Sequence, residues 1–316
     1  MRLTKFGDEP EKLLALYRNG LPPGSSTGWP DVDRHYTVGA SQWTVITGIP
    51  SHGKSAWLDA LMVNLMRRTL GEKVWKFLIC SPENWPLEKH KANILECMVG
   101  HRFGVGPSQR MTEDDVVGAQ RDLADRAWFV TLDEDETFPN LLAVSRKFAA
   151  EHQNAQVGIV LDPWNQLEHQ RPPRLSETEY ISEALSAIIR VTRGTGAHVW
   201  VVAHPAKLQR DRDTGTRPVP TPYDISGSAN FFNKADNCVT IWRNPLAEPG
   251  EKDYGITQVH IQKVRFKNIG YPGIVDLLYD VPTGRYRSVL SQVDAARYAM
   301  ASAGTTRMPG SDEGES

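Results

Sequence analysis

Residues 9–19 read as a short helix in which Leu13, Leu14, Leu16 and Tyr17 are apolar, and Asn19-Gly20 stops the pattern. Leu21-Pro22-Pro23-Gly24-Ser25-Ser26 then reads as a linker. A lone three-turn helix is marginal in water, so this one must dock either on its own domain or on a neighbouring subunit. From Trp43 the pattern changes. Near-continuous apolar runs at 43–47, 74–80, 128–132, 158–161 and 198–203 read as strands buried on both faces, with helical stretches between them. One helix covers residues 56–68. Another opens with the capping box Ser176-Glu177-Thr178-Glu179 and presents Tyr180, Ile181, Ala184, Leu185, Ile188 and Ile189 as one apolar face. The alternation predicts an α/β domain with a mostly parallel central sheet and helices on both faces. Runs at 239–242, 259–266, 274–278 and 286–290 predict a C-terminal antiparallel extension. No internal repeat is visible.

At 316 residues the chain can hold one large domain with short appendages. The expected division is a linker and oligomerisation helix over 1–27, the α/β domain over 28–302, and a tail over 303–316 whose Gly, Ser, Thr and acidic residues predict disorder. A net charge of −2 excludes a globally basic nucleic-acid binder, so any basic surface must be local. Cys80, Cys97 and Cys238 form no C-x-x-C and no metal spacing, which suits a reducing cytosol. Neither a signal peptide nor a membrane-spanning run is present in the sequence. The expectation is a soluble, cytoplasmic protein with no membrane partner.

The run at 43–47 leads into Gly48-Ile49-Pro50-Ser51-His52-Gly53-Lys54-Ser55, and the helix follows at once. Strand, G-x-x-x-x-G-K-S loop and helix together make a phosphate site rather than an ordinary Gly-rich βα turn. Glycines let the backbone wrap a phosphate, and successive N–H groups at the helix start face the anion. Lys54 would reach the β- and γ-phosphates of ATP or another NTP, and the Ser55 hydroxyl would ligate Mg²⁺.

In open α/β sheets, function sits just past the carboxyl ends of the strands. The second strand ends at Ser81-Pro82-Glu83-Asn84, where Glu83 would either polarise an attacking water or stabilise the helix that starts near Pro86. The fourth runs into Asp162-Pro163-Trp164-Asn165, with Asp162 either holding Mg²⁺ or forming a turn before proline. The fifth ends at His204, either an unremarkable strand-end histidine or one that could sense a γ-phosphate. Residues 208–225 form a long polar loop with Arg210, Arg212 and Arg217; with Lys207 it is either a nucleic-acid loop or a solvated one. Along 259–266 the apolar positions switch from Val259 and Ile261 to Val264 and Phe266, as though the strand left the core. Lys263 and Arg265 then share a face, as a charge clamp or a solvated strand tip.

The order Gly-Ile-Pro-Ser-His-Gly-Lys-Ser, Ser-Pro-Glu-Asn, Leu-Asp-Pro-Trp-Asn, Ala-His-Pro-Ala-Lys, Ile-Ser-Gly-Ser-Ala-Asn and Lys-Val-Arg-Phe resembles the hexameric replicative helicases with a RecA-type core. The resemblance spans residues 9–290 and is nearest to the helicase half of phage primase-helicases and the Twinkle family, more distantly to DnaB. It implies that Glu83 is the catalytic glutamate, Asp162 the metal-binding aspartate and His204 the γ-phosphate sensor. Lys263 and Arg265 would reach ATP on the adjacent subunit, and Arg243 and Tyr279 would sandwich adenine. Lys207, Arg210 and Arg212, with Gly227, Ser228 and Asn230, would line a channel for single-stranded DNA. The helix at 9–19 would hold a homo-hexameric ring together. No primase portion precedes it in this sequence, so a separate primase and DNA polymerase would be the partners of a phage-type helicase. The implied activity is ATP-dependent 5′-to-3′ translocation. Its rivals are a RecA-like ATPase resembling KaiC or RadA, and a monomeric P-loop kinase. The basic loop and the Lys263/Arg265 pair disfavour the kinase.

Overall fold

The computed structural model describes residues 5–67, 73–131, 137–206, 218–225, 229–244 and 255–289, together with Leu3 and Gly227. Lys207, Arg210, Arg212, Ser228 and the expected tail over 303–316 lie outside these residues. Helix α1 (Pro10–Asn19) opens on a proline, which suits a first turn whose N–H groups have no helical partner. None of its residues is buried, and Leu13, Leu14 and Leu16 are 59%, 41% and 43% exposed. It therefore does not dock on the described part of its own domain. The short α2 (Pro30–Asp33) instead carries Trp29 and Val32 into the core.

Strands and helices then alternate: β1 (Trp43–Thr47), α3 (Lys54–Arg67), β2 (Trp75–Cys80), α4 (Leu87–Val99) and α5 (Glu113–Leu123). They continue as β3 (Ala127–Phe129), α6 (Phe138–Glu151), β4 (Gln156–Leu161), α7 (Glu177–Thr195) and β5 (His198–Val202). The capping box of α7 forms as expected, with Ser176 Oγ accepting from the Glu179 N–H and the Glu179 carboxylate accepting from the Ser176 N–H. The run at 128–132 yields only the three-residue β3, an edge strand paired on one side alone among the described residues. A short helix, α8 (Ala229–Lys234), leads into β6 (Asn237–Arg243), followed by β7 (Ile256–Val264), β8 (Gly273–Asp280) and β9 (Arg285–Ser288).

Among the described residues these strands make one sheet in the order β3-β2-β4-β5-β1-β6-β7-β8-β9. Pairing is parallel from β3 to β6 and antiparallel from β6 to β9. In β7 the ladder slips. Cys238 pairs with Lys263 but Val239 with Ile261, so Gln262 is an extra residue, a β-bulge. That bulge is what switches the apolar positions along the strand. β7 ends at Val264, short of the expected Phe266, and the Arg265 N–H turns to the Asp236 carbonyl at 2.9 Å.

A core on each face holds the sheet. Trp57, Leu61 and Met62 of α3 and Ile94 of α4 pack on one side with Phe77 and Trp200; Phe148 of α6 and Leu185 and Ile188 of α7 pack on the other with Trp43. Gly158 in β4 lies opposite Phe77, and a Cβ there would run into the Phe77 ring and touch Trp200. Gly158→Ala is therefore expected to destabilise the chain by about 1–3 kcal/mol through overpacking, read from the denaturant midpoint. An unchanged midpoint would mean that the ring has room to move.

Candidate active site

Because β1, β2, β4 and β5 run parallel in adjacent register, their carboxyl ends meet at one edge of the sheet. The loop Gly48–Gly53 leaves β1 there and closes on α3. Gly48, at φ +147°, lies against the Ile241 carbonyl more closely than a side chain would permit. Pro50 and Ser51 form the exposed tip, and Ser51 adopts φ +68°, a left-handed conformation that costs a non-glycine residue energy. Ile49 and His52 are buried beneath it, and His52 Nδ1 accepts the Arg243 N–H at 3.2 Å.

Lys54 is only 5% exposed, and its ammonium donates to the carbonyls of Gly48 at 2.9 Å and Ile49 at 3.2 Å. Burial pushes its pKa down; the carboxylates of Asp162 and Glu83 act against that. Asp162 is buried, and its pKa is raised from 3.8 to about 6, chiefly by burial, with Asp59 and Glu83 adding to the rise and a hydrogen bond from the Ser55 hydroxyl opposing it. Its Oδ1 is buried with no hydrogen-bond partner among the described residues. A desolvated carboxylate with an open oxygen beside a hydroxyl fits Mg²⁺, which takes few protein ligands and completes its shell with water and phosphate. Among the described residues no group of three or more His, Cys, Asp or Glu could hold a metal ion without such help.

Glu83 and His204 complete this edge, with Nε2 of the histidine 3.7 Å from a Glu83 oxygen. The His204 N–H is fixed by Asn165 Oδ1 at 2.9 Å. Burial and then the Lys54 charge hold the His204 imidazole below its usual pKa, with Glu83 opposing, so it is neutral at pH 7. The structure thus brings Lys54, Ser55, Glu83, Asp162 and His204 together.

Arg243 and Tyr279 also meet, but face to face. The guanidinium carbon lies 4.1 Å from the ring centroid, which leaves no room for a base between them until Arg243 swings away. Thr257 and the Tyr286 hydroxyl hold that guanidinium, and Tyr286 lies beside Tyr279 at 4.8 Å between ring centroids. Lys263 and Arg265 are not brought to the P-loop. Both reach the carboxyl end of α8, Lys263 to the Phe232 carbonyl at 2.5 Å and Arg265 to the carbonyls of Asn233 and Ala235 at 3.3 Å. Arg265 also pairs with Asp236 at 3.1 Å, and the Asp236 N–H bonds to Trp43 at the start of β1. The length of β1, about 15 Å at the usual rise per residue, separates these cations from their own loop. Gly227 packs against Ile181, and Asn230 donates to the Thr178 carbonyl at 3.2 Å, both beside the first turns of α7. No pattern in the sequence signals the roles of Asn165, Asp236 or Tyr286, nor a buried Asp59–His90 pair between α3 and α4.

No family model matches the chain. The fold is similar to a solved structure described as an ATPase domain, with a TM-score of 0.72 and 17% identity, covering 90% of this chain and all of that one. It is also similar to a DnaB-like replicative helicase, described with its interactions with primase, at a TM-score of 0.74 and 16% identity over 90% of this chain and 69% of that one. The RadB recombinase is more distant, at a TM-score of 0.54 and 13% identity over 84% of this chain and 99% of that one. In sequence, the chain is 38% identical over 291 residues to the Twinkle homolog protein, chloroplastic/mitochondrial, of Arabidopsis thaliana, an alignment that takes in 90% of this chain. The chain has a RecA-like fold and, over nine-tenths of its length, resembles the Twinkle type in sequence. It spans 39% of the length of that plant relative. Among the described residues, no helix is long and apolar enough to cross a membrane.

The raised pKa of Asp162 has a measurable sign. Because the folded value exceeds the unfolded one, the neutral carboxyl stabilises the folded domain below pH 3.8, and that contribution is lost as pH rises through about 6. Asp162→Asn is expected to stabilise the nucleotide-free domain at pH 7, by up to about 3 kcal/mol, and to do so progressively less towards pH 4. The same variant should lose Mg²⁺-dependent nucleotide binding. Denaturant unfolding at the two pH values, with nucleotide titration in Mg²⁺ and in EDTA, checks both. Equal destabilisation at both pH values would make Asp162 a structural residue.

Proposed function

We propose that this chain is the motor domain of an ATP-dependent DNA helicase, which forms a ring, most simply a hexamer, and moves 5′ to 3′ along single-stranded DNA. The observation that carries the reading is the division of the cations. Lys54 stands with Glu83, Asp162 and His204 at one edge of the sheet, whereas Lys263 and Arg265 lie at the other end of β1. A clamp on the phosphates that includes Arg265 therefore needs a second copy of the chain.

In this reading the loop from Gly48 to Gly53 wraps the phosphates, and Lys54 turns from the Gly48 and Ile49 carbonyls to the β- and γ-phosphates. Ser55 and Asp162 hold Mg²⁺, which supplies positive charge to the phosphate oxygens. Glu83 orients the attacking water. Neutral His204, beside Glu83, hydrogen-bonds the γ-phosphate and so registers its loss. Lys263 and Arg265 leave the α8 carbonyls to meet the charge that develops on the neighbour's nucleotide. Arg243 moves off Tyr279 so that the two flank the adenine. Lys207, Arg210 and Arg212, with Gly227, Ser228 and Asn230, track the DNA backbone, and the exposed leucines of α1 dock on the adjacent subunit. Primase and polymerase are then separate partners. The likeness to RadB supports a second reading, a RecA-like ATPase without unwinding, which a strand-displacement assay separates from the first.

A cation supplied in trans is worth about 10³–10⁵ in rate, so Arg265→Ala should bind ATP and scarcely hydrolyse it. Glu83→Gln should also be inactive while keeping its arginine. In a mixed ring, an Arg265→Ala P-loop faces a normal arginine from a Glu83→Gln neighbour, and ATPase activity should return. If subunits demonstrably exchange and no activity returns, Arg265 does not act on the neighbour's site.

A further inference from the structure

A buried hydrogen-bonded Asp–His pair joins the helix that follows the P-loop to the helix that follows Glu83. His90 Nε2 lies 3.0 Å from Asp59 Oδ1, with both side chains almost withdrawn from water. Asp59 stands one helical turn beyond Ser55 on α3, and His90 stands in the first turn of α4. Among the described residues, the chain between Glu83 and α4 has little else to fix it there. Pro86 caps α4 without a side-chain hydrogen bond, and Asn84 bonds back to Ser81 within the same turn. Trp85 is largely exposed.

Burying two polar groups costs nearly as much as their attraction returns, so against an apolar pair of the same size such a pair adds little net stability, and its contribution lies in geometry. Three facts place that geometry at the reaction. The pair ties α4 to α3, whose first two residues are Lys54 and Ser55. Asp162 feels the charges of both partners. The other ring nitrogen of His90, Nδ1, is buried with no hydrogen-bond partner among the described residues, so the bond to Asp59 alone anchors the ring's polar atoms. Burial lowers the His90 pKa, but the Asp59 charge and hydrogen bond, with Asp162, raise it further than burial lowers it.

We infer that Asp59 and His90 are a positioning pair, which fixes the start of α4 against α3 and thereby sets where the Glu83 carboxylate stands relative to Lys54, Ser55 and Asp162. The inference rests on the reading of Glu83 as the residue that orients the attacking water. Asp59 and His90 lie within α3 and α4, outside the phosphate loop.

The test compares His90→Ala with His90→Gln in the full chain. Glutamine places an amide nitrogen near the position of Nε2 and can restore the bond to Asp59. In His90→Ala, kcat should fall about 10–100-fold, as when a supporting partner of a metal site is removed, while affinity for Mg·ATP stays within about twofold. Amide exchange in the first turns of α4 should quicken in the same variant. His90→Gln should recover most of the rate and the slow exchange. A kcat in His90→Ala within about twofold of the parent overturns the inference. So does a parallel loss of kcat, affinity and melting temperature, or a folded His90→Gln that recovers nothing. A parent chain that hydrolyses no ATP would sink the helicase reading instead. Exchange would then still judge the pair, because unchanged exchange in His90→Ala means that it holds nothing in place.

Discussion

Parallel strand pairing is the constraint from which the site follows. A parallel sheet aligns all its carboxyl ends, so residues far apart in the chain must converge at one edge if their strands are neighbours. Here β2, β4, β5 and β1 are consecutive in the sheet, and the residues just beyond them are Glu83, Asp162, His204 and the phosphate loop. The helices on both faces keep the strands buried and the register fixed. The same pairing sets a limit. β6 continues the parallel set, and the antiparallel β7 returns to the far end of the sheet, where Lys263 and Arg265 are held by α8.

Charge at that edge is poised rather than neutralised. Lys54 is parked on backbone carbonyls, Asp162 is desolvated with one oxygen open, and His204 is neutral beside a carboxylate. Each group is set to take a partner that a magnesium nucleotide would supply. The cost appears as the raised pKa of Asp162, whose burial disfavours its charged form. The closed Arg243–Tyr279 contact is poised in the same way, since the groups proposed for the base occupy each other until it arrives.

Much of this was legible in the sequence because it depends on local strings and one topological rule. β1 has all five residues buried and reads as a β-prone run of Trp43, Thr44, Val45, Ile46 and Thr47. The phosphate loop and the α7 capping box are fixed by spacing alone, and the strand-end residues follow once a parallel sheet is inferred. What escaped depends on packing between distant elements. Tyr286 meets Arg243 only because β8 and β9 pair with Tyr279 opposite Tyr286. Asp59 and His90 meet only because α3 packs on α4, and no periodicity marks either residue. The face switch in β7 is visible in sequence and reads there as a strand leaving the core; the cause is a bulge at Gln262, which only the partner strand reveals. The exposure of α1 could not be read either, because an amphipathic helix looks the same whichever surface it is to cover.

In the proposed reading, the exposed leucines of α1 and the remote position of Arg265 make one copy of this chain half of an active site. The most direct test is the ATPase rate per chain as protein concentration is raised, followed alongside the mass in solution, with and without single-stranded DNA. Negligible turnover is expected from the monomer, with a steep rise as rings form and a higher rate again on DNA. A monomer that hydrolyses ATP at full rate, indifferent to concentration and to DNA, would contradict a shared site.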